Sequence, residues 1–355
     1  MNFVTNAIAL AVIATFASSS ALAQAQEKPK AQKPVPVPAL KADAAPKVDG
    51  SADDAVWKSA AVVKLEAVKG VNFKDNKGNT NGTVQLAYTA DTLYMLITYD
   101  DPTFSVKHSP YVKKADGKWE MVKDPGDKGS DDNKFHGDKV SVMWNINDSI
   151  FGFTDKFSCT SVCHGGEKGK AYGNKYSEEA EETADLWIMR YSQGGALGYG
   201  DDKYVDNTKF DPVKSPDAGR KADPSSGGGY EKIKLVNGKP EFMGKDAKPA
   251  NKGGTYWVKA EDKVAFDDSK FKAGDEVASV IVAPFKGDRG DVSVGAKWDK
   301  GKWTVEFARK LKTGSKHDID LSDLGKTYAF GIGFFDNAEM RHAYVQAPLH
   351  LQFQK

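Results

Sequence analysis

From residue 61 to the C-terminus, apolar and polar side chains alternate with a period of two, and this pattern restricts the chain more than any other feature it has. Alternation at period two places one set of side chains on each face of an extended strand. Val84, Leu86 and Tyr88 alternate with Thr83, Gln85 and Ala87; Ala90-Asp91-Thr92 then turns the chain into the run 93–99, so a hairpin is expected. The pattern recurs at Val140, Val142, Trp144 and Ile146, over 276–285, and over 292–307, where Asp299-Lys300-Gly301 separates Trp298 from Trp303. It closes with Tyr328, Phe330, Ile332 and Phe334 and the run 344–353. Helical signal is confined to 178–190 and 51–60. Many short strands with aromatic faces predict an all-β antiparallel β-sandwich with long loops and one or two short helices, as one large decorated domain. The Gly-, Lys- and Asp-rich stretches 114–137, 165–182 and 199–253, the last containing Ser225-Ser226-Gly227-Gly228-Gly229, read as loops.

The N-terminus is of a different kind. Residues 2–23 carry no charged side chain and end in Ala21-Leu22-Ala23, the pattern of a secretory signal peptide over 1–23, although no Lys or Arg precedes the apolar run. An uncleaved membrane anchor is the alternative. No other run approaches the roughly 20 apolar residues of a membrane helix, so an exported, periplasmic chain without stable membrane insertion is expected. Residues 24–45, with Pro29, Pro34, Pro36 and Pro38, read as a proline-rich linker, leaving 46–355 as the folded domain. Fifty basic residues balance 49 acidic ones, a net charge of +1 that gives no ground for a nucleic-acid partner.

Two cysteines are too few for a disulfide scaffold or a four-thiolate centre. Their placement, Cys159-Thr160-Ser161-Val162-Cys163-His164-Gly165-Gly166, is the covalent haem pattern with one extra residue between the thiols. In that chemistry two thioethers fix the porphyrin edge, and the histidine after the second cysteine meets the iron. A Cys159–Cys163 disulfide, expected of an exported pair, and a metal site on Cys159, Cys163 and His164 stand as alternatives. Neither the disulfide nor a zinc site, which normally takes four ligands, accounts for the whole pattern.

Cys159 to Gly166, Ala184-Asp185-Leu186-Trp187, Phe334-Phe335-Asp336-Asn337, Arg341-His342, and the opening 48–57 with Asp49-Gly50 and Trp57 together resemble the ethylbenzene dehydrogenase-related haem-binding domain. The resemblance spans about residues 46–355. It implies an immunoglobulin-like or DOMON-like sandwich. It also implies a gamma-type subunit or free-standing relative that serves periplasmic molybdenum enzymes of the dimethyl sulfoxide reductase class. The implied partners are catalytic or iron–sulfur subunits, or another cytochrome. Members of that family often hold a non-covalent haem b between a methionine and a lysine; the cysteine pair and His164 depart from this, so the implied cofactor is one covalent haem c.

The second iron ligand is open. His342 is the first choice, because it follows a strand whose small face, Ala329, Gly331 and Gly333, leaves room for a flat macrocycle. Met340 offers the same position, and Met143, out of phase with the apolar stripe of its strand, is a third candidate. Met189 and the remaining histidines, His108, His136, His317 and His350, are expected elsewhere. Arg190 and Arg341 are candidates to pair with haem propionates, and Asp131-Asp132 and Asp201-Asp202 read as solvated loop charge rather than a calcium site. The expected function is electron transfer without bond chemistry, since two protein ligands leave the iron no open position. Two alternatives differ in class: a carbohydrate- or surface-binding sandwich presenting Trp119, Trp257, Trp298 and Trp303, and a haem enzyme or sensor with five-coordinate iron.

Overall fold

A computed structural model describes residues 30–127, 129–167 and 169–355; the signal-peptide reading of 1–23 lies outside the described residues. Thirteen strands form one continuous sheet that folds over on itself: β1 (Val35–Lys41), β2 (Val63–Val68), β3 (Thr80–Tyr88), β4 (Thr92–Asp100), β5 (Lys139–Asn145), β6 (Ala184–Arg190), β7 (Asp201–Val205), β8 (Arg220–Ala222), β9 (Ser293–Asp299), β10 (Lys302–Lys310), β11 (Thr327–Phe335), β12 (Ala343–Val345) and β13 (Leu349–Phe353). One layer has the order β8-β7-β6-β5-β11 and the other β3-β4-β10-β9. Along one edge they are joined twice, through β12 and β2 and through β13 and β1; the opposite long edge is open.

The alternation decides what the layers enclose. Inward residues Val140, Val142, Trp144, Trp187, Phe330, Ile332 and Phe334 of the first layer meet Met95, Ile97, Tyr99, Trp303, Val305 and Phe307 of the second, all buried. Tyr99 stacks on Phe334 at 4.6 Å and Trp144 packs on Phe330 at 4.7 Å, geometries that aromatic pairs favour.

Three elements depart from expectation. Val35–Lys41, read as linker, is a strand, and its pairings with β13 and β3 are both parallel. Val35 donates its N–H to Pro348, whereas Ala42 donates to Tyr88, so odd and even positions face opposite neighbours. Pro36 and Pro38, which lack a donor, therefore face the side where β3 has not yet begun to pair. The 178–190 segment holds no helix: 184–190 is β6, buried on both faces, and tertiary burial of Leu186, Trp187 and Ile188 overrides local propensity. Among the described residues, the stretch 114–137 is loop apart from the strand Trp119–Met121, whereas 199–253 contains several short strands. Two of these strands, Trp119–Met121 and Phe242–Gly244, contribute Trp119 and Met243 to a satellite core that also holds Tyr111, Ile233, Val258 and Phe271.

The short helix Ala55–Ser59 matches the 51–60 reading. Trp57 Nε1 donates to Glu306 Oε1 at 2.8 Å, and the backbone N–H groups of Asp49 and Gly50 donate to Glu306 Oε2 at 2.9 Å. These bonds satisfy a buried carboxylate and explain why Asp49-Gly50 and Trp57 occur together. Gly50, at φ +77°, lies against the β9 backbone, where a Cβ would come within 2.7 Å of Ala296.

Three strand ends bring Asp101, Asp138 and Asp336 together in the interior, with carboxylate oxygens within 4.8 Å of one another. Backbone N–H groups donate to each: Thr103 to Asp101, Ser105 and Asn337 to Asp138, and Phe73 to Asp336. Among these carboxylates Asp101 Oδ2 has no donor. Burial, then the neighbouring carboxylates, pushes Asp101 up to about 9; burial likewise pushes Asp138 up to about 8. The folded protein thus keeps protons that the unfolded chain releases near pH 4. Their contribution to stability is full below that pH and is lost as pH rises through 8 to 9. Asp101→Asn places an amide donor where the proton sits, so its advantage over wild type should be near zero at pH 4 and reach about 2 kcal/mol near pH 9. Urea denaturation at the two pH values measures the difference; equal stability at both would show that the triad does not share protons.

Candidate functional site

The outward face of the first layer carries the small side of β11. Ala329, Met143, Leu186 and Ile188 form the floor of a second core, on which the cysteine loop sits through Ile150, Phe153, Cys159 and Val162. A Cβ on Gly331 would lie 2.9 Å from Cys159 Cβ, and one on Gly333 would lie 2.7 Å from His342 Cδ2. The glycines therefore admit the cysteine loop and the His342 ring against the sheet, rather than a bare surface for a flat ring.

Between that loop and the 340–344 segment lies a cavity of about 640 Å³, within the roughly 300–1,000 Å³ range of cofactor clefts. Cys163, His164, Tyr172 and Tyr176 line one side, and Phe335, Met340, His342 and Tyr344 the other. Lys69, Lys175, Arg220 and Arg341 also line it, against Glu167 as the acidic lining residue, so the cavity is suited to an anionic group.

His342 is held ready to coordinate. Its Nδ1 lies 2.9 Å from the Met340 carbonyl; a carbonyl only accepts, so Nδ1 carries the hydrogen and Nε2 keeps its lone pair. The ring stacks on Phe335 at 4.5 Å. Burial, with Lys175 close by, lowers its pKa to about 3, which keeps the imidazole neutral. Met340 lines the same cavity, but Arg220 Nη1 donates to its sulfur at 3.4 Å, and a Cβ on Gly173 would lie 2.7 Å from that sulfur.

His164 stacks flat on Tyr176, ring centres 3.5 Å apart, and its Nε2 lies 2.9 Å from the Tyr176 carbonyl. Both cysteines are free thiols. Cys163 is exposed on the cavity wall with Lys175 Nζ 2.9 Å from its sulfur, whereas Cys159 is buried beneath the loop, where desolvation pushes its thiol up to about 12. The structure thus gathers Cys163, His164, Met340 and His342 around one space and leaves Cys159 and Met143 in the packed layer below.

Other candidates are placed elsewhere. Arg341 lines the cavity, held by Asp131 at 2.6 Å and lying over Tyr172, but Arg190 is bound to Asp201 away from it. Met189 is in the main core, and His108 and His136 pack edge to face at 5.1 Å away from the cavity. Asp131, Asp132, Asp201 and Asp202 are buried, not solvated. Trp119 and Trp303 are buried and Trp257 and Trp298 half-buried, so these four form no exposed aromatic platform. Lys69, Lys175 and Arg220 escape a sequence reading because no local pattern links the chain near 69, 175 and 220 to the cysteines.

No curated protein matches the chain. Two solved structures of a carbohydrate binding module family 9 from Caldicellulosiruptor kristjanssonii, with cellotriose and with glucose, are similar at 10% and 11% identity. The alignments cover 91% and 90% of this chain and 95% and 97% of theirs, each with a TM-score of 0.33. Residues 54–347 match the ethylbenzene dehydrogenase family, and with that match over most of its length the chain belongs to that family.

Proposed function

We propose that this protein is a periplasmic monohaem c-type cytochrome that passes single electrons to or from a respiratory molybdoenzyme or another cytochrome. One observation carries this reading: a single cavity has Cys163-His164 on one wall and, on the other, a neutral His342 with a free Nε2. Such a pairing is the donor set of a protein-ligated haem iron. Bound there, haem supplies a one-electron couple. Cys159 and Cys163 would hold it covalently, His164 and His342 would be its iron ligands, and Arg220 and Arg341 would receive its carboxylates.

The chain's own residues explain how the site is kept in order. The Met340 carbonyl fixes the His342 tautomer and orientation, as second-layer partners do for metal-binding imidazoles. His164 must turn from the Tyr176 carbonyl, and the Cys159 thiol must leave its packed position, before either can engage a ligand in the cavity. With His164 and His342 both serving as ligands, the site would transfer electrons and perform no bond chemistry. Membership of the ethylbenzene dehydrogenase family supports a molybdoenzyme subunit as the partner. The contact is expected to be small and transient. A carbohydrate-binding alternative needs exposed aromatics, and the tryptophans it invokes are buried or half-buried.

The test is expression with a cytochrome c maturation system, followed by pyridine haemochrome spectra before and after acid–acetone extraction. Haem that stays with the protein, at one per chain, is the expected result. Colour that extracts completely rules out covalent attachment, and a colourless protein removes the cytochrome reading altogether.

A further inference from the structure

A second cluster lies far from any loop pattern, between the layers at the open edge of the sandwich. Asp185 on β6, Asp202 on β7 and Asp318, in the segment after β10, bring carboxylate oxygens within 4.8 Å of one another. Asp223, just after β8, faces Asp318, and Asp291, before β9, faces Asp202. The cation among them is Arg309 of β10, whose Nη1 lies 2.8 Å from Asp185 and 3.5 Å from Asp318. Five carboxylates thus surround one guanidinium. If all are ionised, four negative charges are in excess inside the fold, a cost that a buried group escapes only by protonation or by pairing.

An independent observation separates this cluster from the Asp101 triad. There, donors reach every carboxylate and one oxygen is left over. Here six buried oxygens have no hydrogen-bond donor: Asp185 Oδ1, Asp202 Oδ2, both oxygens of Asp223, Asp291 Oδ1 and Asp318 Oδ1. Asp223 is 3% exposed, yet neither of its oxygens accepts from an N–H or a hydroxyl group, and Asp318, the side chain it faces, is another carboxylate, although buried polar atoms almost always find a donor. Six inward, unpartnered oxygens are the coordination set of a hard cation.

We propose that Asp185, Asp202, Asp223, Asp291 and Asp318 bind one divalent cation, calcium by preference, which clamps the two layers at the open edge. Calcium takes six to eight oxygen ligands in flexible geometry, whereas magnesium usually keeps several waters, for which a buried carboxylate shell leaves little place. Zinc favours nitrogen and sulfur, and neither occurs among these five side chains. The ion would halve the charge excess and satisfy oxygens that the fold otherwise leaves bare. This site does not depend on the haem assignment.

The full exported chain, stripped with EDTA and then titrated with CaCl2 or MgCl2, provides the test. We expect one calcium per chain by elemental analysis and a melting temperature that rises saturably with CaCl2. Asp223→Asn should weaken that response by about tenfold or more, because affinity follows the number of charged ligands, with the haem spectrum unchanged. No bound calcium and no shift up to about 10 mM CaCl2, beyond the range of weak extracellular sites, would overturn the proposal; the carboxylates then hold protons. An equal response to MgCl2 would overturn the calcium assignment. Should Asp223→Asn not fold, the metal count and titration of the wild-type chain decide alone.

Discussion

His342→Ala, loaded with haem, should show a high-spin spectrum where the wild-type protein should be low-spin. The expectation follows from the geometry of one side chain. His342 lines the cavity and presents a neutral imidazole whose Nδ1 hydrogen is spent on the Met340 carbonyl, leaving Nε2 its lone pair. Removing it takes away the coordinating lone pair and leaves the stacking partner Phe335 in place. His342→Met should restore a low-spin iron with a higher midpoint potential, because a thioether ligand raises the potential relative to imidazole. Circular dichroism controls for folding. A low-spin spectrum unchanged in His342→Ala would transfer the role to Met340, whose sulfur lines the same space but is engaged by Arg220.

What the sequence makes legible is whatever a local period or a fixed spacing can encode. The inward faces of β5 and β11 follow the alternation of Val140, Val142 and Trp144 and of Phe330, Ile332 and Phe334 residue for residue. The small face of β11 was visible as Ala329, Gly331 and Gly333, but not its use: only the fold shows that the cysteine loop and His342 occupy that room. Segment 184–190 defeats a local reading because its helical and extended propensities are close. Burial on both faces, a tertiary fact, decides for the strand. Asp201-Asp202 misleads for the same reason. A pair of adjacent aspartates looks solvated until strand pairing sends one to each face: Asp201 towards Arg190 and Arg289, and Asp202 into the interior beside Asp185.

The two sites described here occupy opposite faces of the same layer. β6 turns Ala184, Leu186 and Ile188 outward to the floor beneath the cysteine loop and turns Asp185 and Trp187 inward. A register slip of one residue in β6 would therefore exchange a carboxylate for an apolar side chain on both faces at once. The pairing of β6 with β5, with Asp185 opposite Trp144 and Trp187 opposite Val142, fixes that register over seven residues.

Arg309→Met should cost about 3–5 kcal/mol, the penalty for leaving a buried charge without its partner. The Arg309 side chain is wholly buried, donates to Asp185 at 2.8 Å and to the Ile319 carbonyl at 2.5 Å, and lies over the Trp187 ring at 4.9 Å. It is the cation that holds β10 of one layer to β6 of the other where the sandwich is open. Methionine can fill much of the volume but supplies no donor, so Asp185 and Asp318 lose their cation, keeping only the Ile319 N–H and the Thr313 hydroxyl, and the Ile319 carbonyl loses its donor. Arg309→Lys should recover little, because a point charge cannot reach Asp185 and Ile319 in the forked arrangement that guanidinium provides. Denaturant titrations in EDTA measure the loss, and a cost under about 1 kcal/mol would mean that the pair merely breaks even against its desolvation. Repeating the titrations in CaCl2 links the result to the carboxylates around it. An ion held by those five aspartates offsets part of the missing positive charge, so the penalty should shrink with calcium and not with an equal ionic strength of NaCl.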